Sequence, residues 1–200
     1  MRKIDILLSI IIGEAVALVF LGISGFLKLP DFVSGWAKWF PFILPVISLL
    51  STYIANLFGK KIPVLFQLSK FVLVGALNTF VDLGVLNLLM FFSGVSVGLL
   101  YSVFKAFSFF CSVVNSYFWN KFWTYEKKDT AVGVKEFAKF ALVAGTGFVI
   151  NVGIASLIVN LVGPQFGISA KLWANIGAII ATICVFMWNF LGYKLIVFKK

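Results

Sequence analysis

The sequence predicts an all-α integral membrane protein with six transmembrane helices, and three observations carry that prediction. The first is composition. Of 200 residues, 62% are hydrophobic and 12% charged, and mean hydropathy is +1.07. Soluble domains carry about 45–50% apolar and about 25% charged residues. A chain this short cannot hide so much apolar surface in its own core, so lipid must serve as part of its solvent. The second is length. A crossing needs about 20 apolar residues, and six stretches approach that. The third is charge: 17 basic residues face 7 acidic ones, a net +10, and the basic residues segregate by side.

Span one covers about residues 5–26. Arg2 and Lys3 precede it as they would precede a signal peptide, but Asp5 and Glu14 interrupt it and no A-x-A site follows, so it reads as a retained helix. Glu14 is expected to pair with Ser51 or Thr52, or to line a cavity. Span two, about 42–59, begins near Pro41 and is kinked at Pro45. Spans three to six cover about 69–92, 98–119, 137–162 and 172–196. Lys127–Lys139 reads as a solvated cytoplasmic loop, with a short helix lying on anionic lipid as its structured form.

Orientation follows from lysine and arginine. With the N-terminus inside, 13 of the 17 fall on the inner side, leaving Lys28, Lys38, Lys105 and Lys171 outside or at outer span ends. Both termini are then cytoplasmic, in the inner (cytoplasmic) membrane. Topology accounts for the charge, so no nucleic-acid partner is implied. Trp36, Trp39, Tyr101 and Trp173 are expected at the outer headgroup level, and Tyr117, Trp119, Trp123, Tyr125 and Tyr193 at the inner one.

Much chemistry is excluded. There is no His, the commonest general base and metal ligand. Cys111 and Cys184 lie in apolar stretches without metal spacing and read as packing residues. No Walker motif is present. The acids between spans four and five, Glu126, Asp129 and Glu136, form no D-x-D. No catalytic residue, metal or cofactor is expected, and the chain does not read as an enzyme.

The last four spans contain a repeat. Lys70-Phe71-Val72-Leu73-Val74-Gly75 resembles Lys139-Phe140-Ala141-Leu142-Val143-Ala144, and at the same offset of 69 Asp82 meets Asn151 and Gly84 meets Gly153. The second helices align at an offset of 73: Cys111 meets Cys184, Lys121 meets Lys194 and Tyr125 meets Phe198. A longer second outer loop, containing Gly163-Pro164, explains the difference. Each unit is two spans, so the two repeats enter the membrane in parallel orientation, and a site at their interface is one use of such symmetry.

The residues Lys70-Phe71-x-x-Val74-Gly75-x-x-Asn78-Thr79-x-x-Asp82, the string Asn115-Ser116-Tyr117-Phe118-Trp119-Asn120-Lys121-Phe122-Trp123-Thr124-Tyr125, and the closing Asn189-Phe190-Leu191-Gly192-Tyr193-Lys194 together resemble the GtrA-like family over about 68–200. The resemblance implies a four-span protein that moves polyprenyl-phosphate-linked sugars across the membrane for cell-surface polysaccharide glycosylation. It implies a domain at 68–200, with repeat units at about 68–125 and 137–198, preceded by an additional two-helix segment at 1–67. Gly147 stands where the first repeat has Asn78, and Tyr193 where it has Asn120, so the halves are not equivalent.

A sugar phosphate needs polar groups within lipid. Asp82 lies in mid-span, and a charge at that depth marks a pathway or a structural pair. At 1.5 Å per residue, Asp82 is about 18 Å from Lys70 and Lys105 about 24 Å from Lys121, so the two depths differ by about 6 Å. A Lys105–Asp82 pair is predicted. Asn78, Asn151, Asn115, Asn120 and Asn189 want partners in lipid. Lys70, Lys139, Lys121 and Lys194, with Trp123 and Tyr193, are expected around the inner helix ends, either attracting a phosphate or serving as positive-inside anchors.

The leading function is translocation of a polyprenyl-phosphate-linked sugar down its gradient, with proton coupling through Asp82 as one scheme. The alternative is a non-transporting membrane partner that recruits or stabilises a polyprenyl-phosphate glycosyltransferase. Small-molecule export and catalysis on polyprenyl phosphates rank below these. The partners implied are the lipid-linked sugar and membrane lipid, with a membrane glycosyltransferase and a second copy of the chain as further candidates.

Overall fold

A computed structural model describes residues 1–26, 35–95, 98–127, 132–167 and 170–199. Lys28, Lys128 and Asp129, and the side chains of Tyr101, Lys171 and Trp173, lie outside the described residues. An apolar run in lipid must satisfy its backbone hydrogen bonds within itself, and six long helices result. They are α1 (Lys3–Phe26), α2 (Phe40–Gly59), α3 (Pro63–Ser93), α4 (Gly98–Trp119), α5 (Val134–Ser156) and α6 (Ala170–Gly192). Three helices continue into π turns: α4 at Asn120–Thr124, α5 at Leu157–Val162 and α6 at Tyr193–Val197. No strand occurs among the described residues.

Among the described residues, five helical stretches are long and apolar enough to cross a membrane: Lys3–Gly25, Phe40–Gly59, Pro63–Ser93, Val134–Ile154 and Ile180–Val197. The predicted fourth span is helical over its expected length, but it is not one of these five. It carries Lys105, Asn115 and several serines. Pro41 stands at the start of α2 and Pro45 inside it, as predicted. Helix α5 begins at Val134, so the expected loop gives up its last residues to the helix.

The chain divides into two compact units, Met1–Lys128 and Asp129–Lys200. In the first, α3 packs against α1, α2 and α4, which joins the N-terminal helices to the first helix pair of the repeat. Ile12, Val16, Val74, Leu77 and Trp123 form its core, with Leu8, Leu44 and Phe80 packed around them. Phe20 contacts Phe40 at 5.0 Å and Phe80 at 6.1 Å between ring centres.

The buried face of α1 mixes small and polar residues with large apolar ones: Asp5, Ser9, Ile12, Val16, Ala17 and Ser24 are all buried, while Leu7, Ile11 and Leu18 face outward. Apolar residues thus lie on both faces, unlike the one-sided pattern of a soluble helix. Lipid is as apolar as leucine, so helices associate in it through close approach and hydrogen bonds. Ser9 Oγ donates to Thr52 Oγ1 at 2.9 Å, and Thr52 Oγ1 to the Ser48 carbonyl. Thr52 is therefore engaged by Ser9. Glu14, half-buried, does not pair with Ser51 or Thr52: Ser51 Oγ turns back to the Ser48 carbonyl.

In the second unit, α5 packs on α6 and on its π turn. The rings of Phe140 and Tyr193 stack at 4.0 Å with 15° between planes, and Trp188 Nε1 donates to the Val143 carbonyl at 3.1 Å. Gly192 allows α6 to approach Val143, whose Cγ1 would lie 2.6 Å from an added Cβ.

Helix ends recur between the units. Helix α3 stops at Gly94, φ +70°, and α5 with its π turn stops at Gly163, φ +68°, 69 positions later. The π turns Asn120–Thr124 and Tyr193–Val197 are 73 positions apart. Gly94 is a left-handed cap with ψ 5°, whereas Gly163 has ψ 171°; both share a positive φ that a Cβ disfavours. Gly94→Ala is expected to lower the unfolding midpoint in detergent, at a cost of about 1 kcal/mol.

Candidate functional site

The polar residues of the first unit lie along the seam where α3 meets α4. On α3, Lys70, Asn78 and Asp82 recur at multiples of four residues, and on α4, Lys105, Ser108, Ser112 and Asn115 recur every three or four. These spacings put each set on one helix face. Mid-seam, the predicted pair forms: Lys105 Nζ donates to Asp82 Oδ2, and Ser108 Oγ donates to Asp82 Oδ1 at 2.6 Å. The side chains of Lys105 and Asp82 are 43% and 20% exposed, so the pair can be reached from outside the protein. Asn115 Nδ2 donates to Asn78 Oδ1 at 2.6 Å, joining the two amides that the family resemblance singled out separately.

At the N-terminal end of α3 the seam closes on a denser cluster. Lys70 is 1% exposed, and its Nζ lies 2.7 Å from Asp5 Oδ1 and 2.9 Å from Glu126 Oε1. Arg2 reaches both acids. Its Nε and Nη2 donate to Asp5 at 3.0 Å each, and its Nη1 and Nη2 to Glu126 at 2.8 and 2.5 Å. Hydrogen bonding to Asp5 holds the Arg2 guanidinium above its ordinary pKa. Trp123 Nε1 donates to Asp5 Oδ1 at 3.1 Å, and Lys70 Nζ sits 4.4 Å from the Phe66 ring centre and 5.6 Å from that of Trp123.

The four inner lysines are therefore unequal. Lys70 and Lys121 are buried, Lys194 is half-buried over the Phe190 ring, and Lys139 is exposed. Lys70 already holds two carboxylates, so a phosphate would reach it only by displacing one of them. Of the aromatic residues expected at the inner level, Tyr117, Trp123, Tyr125 and Tyr193 are buried within protein and Trp119 is half-buried, so they pack against neighbours and do not form an open ring of exposed side chains. Trp36 and Trp39 are exposed.

Asn120 is buried, with Nδ2 donating to the Ser116 carbonyl at 2.9 Å, while its Oδ1 has no hydrogen-bond partner. In the second unit, Asn189 Oδ1 is likewise unpartnered and lies 2.7 Å from where a Cβ on Gly147 would stand. Asn151 is half-buried at the position matching Asp82. At the offset of 73, Ala178 and Ala181 match Lys105 and Ser108, so an ion pair has no counterpart here.

Sequence reasoning missed Asp5, Glu126, Arg2 and Ser108. Asp5 and Lys70 each carried a signal, a charge in or beside an apolar run, but nothing local joined them across 65 positions.

Residues 70–198 match the family described as GtrA/DPMS, transmembrane domain. No curated protein and no solved structure matches the chain. The matched stretch contains the whole α3–α4 seam and ends within one residue of the last π turn. Covering more than half of the chain, the match, taken with the five apolar helical stretches, makes this a multi-pass membrane protein of the GtrA/DPMS transmembrane-domain family, whose members handle polyprenyl-phosphate-linked sugars.

Proposed function

We propose that this chain carries a polyprenyl-phosphate-linked sugar across the cytoplasmic membrane, supplying cell-surface polysaccharide glycosylation, and that it does so without catalysis. The observation that carries this reading is the part-exposed Asp82–Lys105 pair, bonded by the buried Ser108, midway along the α3–α4 seam. A charged group at such depth costs stability unless something uses it. The sugar hydroxyls and phosphate would exchange hydrogen bonds with this group and with the Asn78–Asn115 amides while the tail stays in lipid. In this scheme α4 also crosses the membrane and brings the spans to six, both termini are cytoplasmic, and the units are parallel repeats. The recurrence of the glycine stops and π turns at constant offsets supports that last point.

The test uses purified chain in liposomes with a short-chain polyprenyl-phospho-sugar. Asp82→Asn is expected to slow translocation by about tenfold or more, with the unfolding midpoint close to wild type because Ser108 still bonds the amide oxygen. Normal transport by the variant removes Asp82 from the pathway. A wild-type protein that leaves the sugar on its original leaflet, while a control translocator moves it, removes the transport reading itself and favours the recruiting role.

A further inference from the structure

We propose that Glu126 is an internal stand-in for a lipid phosphodiester, and that Arg2 and Lys70 hold that phosphodiester once Glu126 has swung out. The proposal rests on the lipid-linked-sugar reading only for one source of the phosphodiester.

The two acids of the cluster differ in kind. Asp5 is 1% exposed and is tied down by Lys70, Arg2 and the Trp123 indole together. Glu126 is 42% exposed and is held by the two cations alone. Its carboxylate takes two parallel bonds from the Arg2 fork and a third from Lys70 Nζ. That donor set suits a phosphate as well as a carboxylate. Glu126 also has φ +55°, a left-handed conformation that a side-chain-bearing residue enters at a cost.

Charge favours the exchange. Arg2 and Lys70 against Asp5 and Glu126 sum to zero, and a phosphodiester carries one negative charge, as Glu126 does. Replacement leaves the cluster neutral. A groove of about 350 Å³ opens beside Arg2, walled by Leu8, Phe118, Trp119, Phe122 and Trp123. Aromatic and aliphatic walls next to a guanidinium suit an amphipathic anion, with the phosphate at the cation and the apolar or sugar portion on the rings.

The test measures binding by the full chain in detergent, using native mass spectrometry. The probes are a short-chain polyprenyl-phospho-glucose, phosphatidylglycerol and the unphosphorylated polyprenol. Glu126→Gln and Glu126→Gly are expected to bind the two phosphodiesters about five- to tenfold more tightly than wild type. Arg2→Gln is expected to bind them more weakly, and polyprenol affinity should stay constant. Glu126→Gly guards against misfolding, because glycine accepts φ +55° freely.

Tightening for both lipids supports the stand-in and assigns the site to phosphodiester headgroups in general. Tightening for the polyprenyl lipid alone supports it and assigns the site to the lipid-linked sugar. If neither Glu126 variant binds more tightly than wild type, or if polyprenol gains as much, the proposal is overturned. Because binding is read without transport, a tighter-binding variant in a chain that moves no sugar would sink the transport reading and leave this one standing.

Discussion

Asp5→Asn is expected to destabilise the Met1–Lys128 unit by about 3–5 kcal/mol, the usual cost of removing one partner of a buried ion pair. Both Asp5 and Lys70 are 1% exposed. Without the Asp5 charge, Lys70 keeps only Glu126, whose side chain is 42% exposed. The Trp123 indole also faces an amide that has one acceptor fewer. Thermal unfolding in a mild detergent reads the loss directly. The combined Asp5→Asn, Lys70→Met variant should recover much of it, because removing both charges leaves no orphan. If the double variant is as unstable as the sum of the singles, the two residues are not acting as a pair.

The second large effect is expected at Gly13. A Cβ there would stand 2.6 Å from the Leu44 carbonyl oxygen, 2.6 Å from Pro45 Cα and 2.7 Å from Ser48 Oγ. Two of these three atoms are backbone, so no rotamer change relieves the clash, and α1 must move off α2. Gly13→Val is expected to cost about 1–3 kcal/mol. Gly22, on the same helix, has nothing within 4 Å of an added Cβ. Gly22→Ala is therefore expected to be neutral, or to stabilise by up to about 1 kcal/mol by removing a flexible residue from a helix. Unfolding midpoints read the contrast between these two substitutions on one helix, a loss at Gly13 against none at Gly22. Equal losses would show that helix α1 does not rest on α2 at Gly13.

The helix boundaries were largely legible in the sequence because lipid imposes them: a run of about 20 apolar residues has few other choices. The Asp82–Lys105 pair was legible for a related reason. Two opposite charges at similar depth in lipid are strongly driven together, and helical rise gives the depth. The Asp5–Lys70–Glu126–Arg2 cluster was not. Asp5 read as an interruption of a signal-like run and Glu126 as part of a loop, since each sits at a boundary where water is an equally good partner. The burial of the aromatic rings was not legible for the same reason. A tyrosine near a span end is equally suited to a headgroup layer and to the inside of a helix end, and only the packing of the π turns decides. Helix α1 gave little warning of its buried face, because in lipid both faces are apolar: Ile12 and Val16 are buried while Ile11 and Leu18 are exposed, and only small and polar residues such as Ser9 and Ala17 mark the inward side.

The Asp5–Lys70 pair also sets an order of assembly. The 65 positions between the two residues correspond to about 3–13 s of synthesis at usual rates. During that interval the first helix resides in the bilayer with its carboxylate lacking a cation from α3, and its serine face lacking Thr52 until α2 has followed. Early insertion of this chain is thus a waiting state, open to helix-holding factors and to membrane quality control. It ends when Lys70 emerges and docks α3.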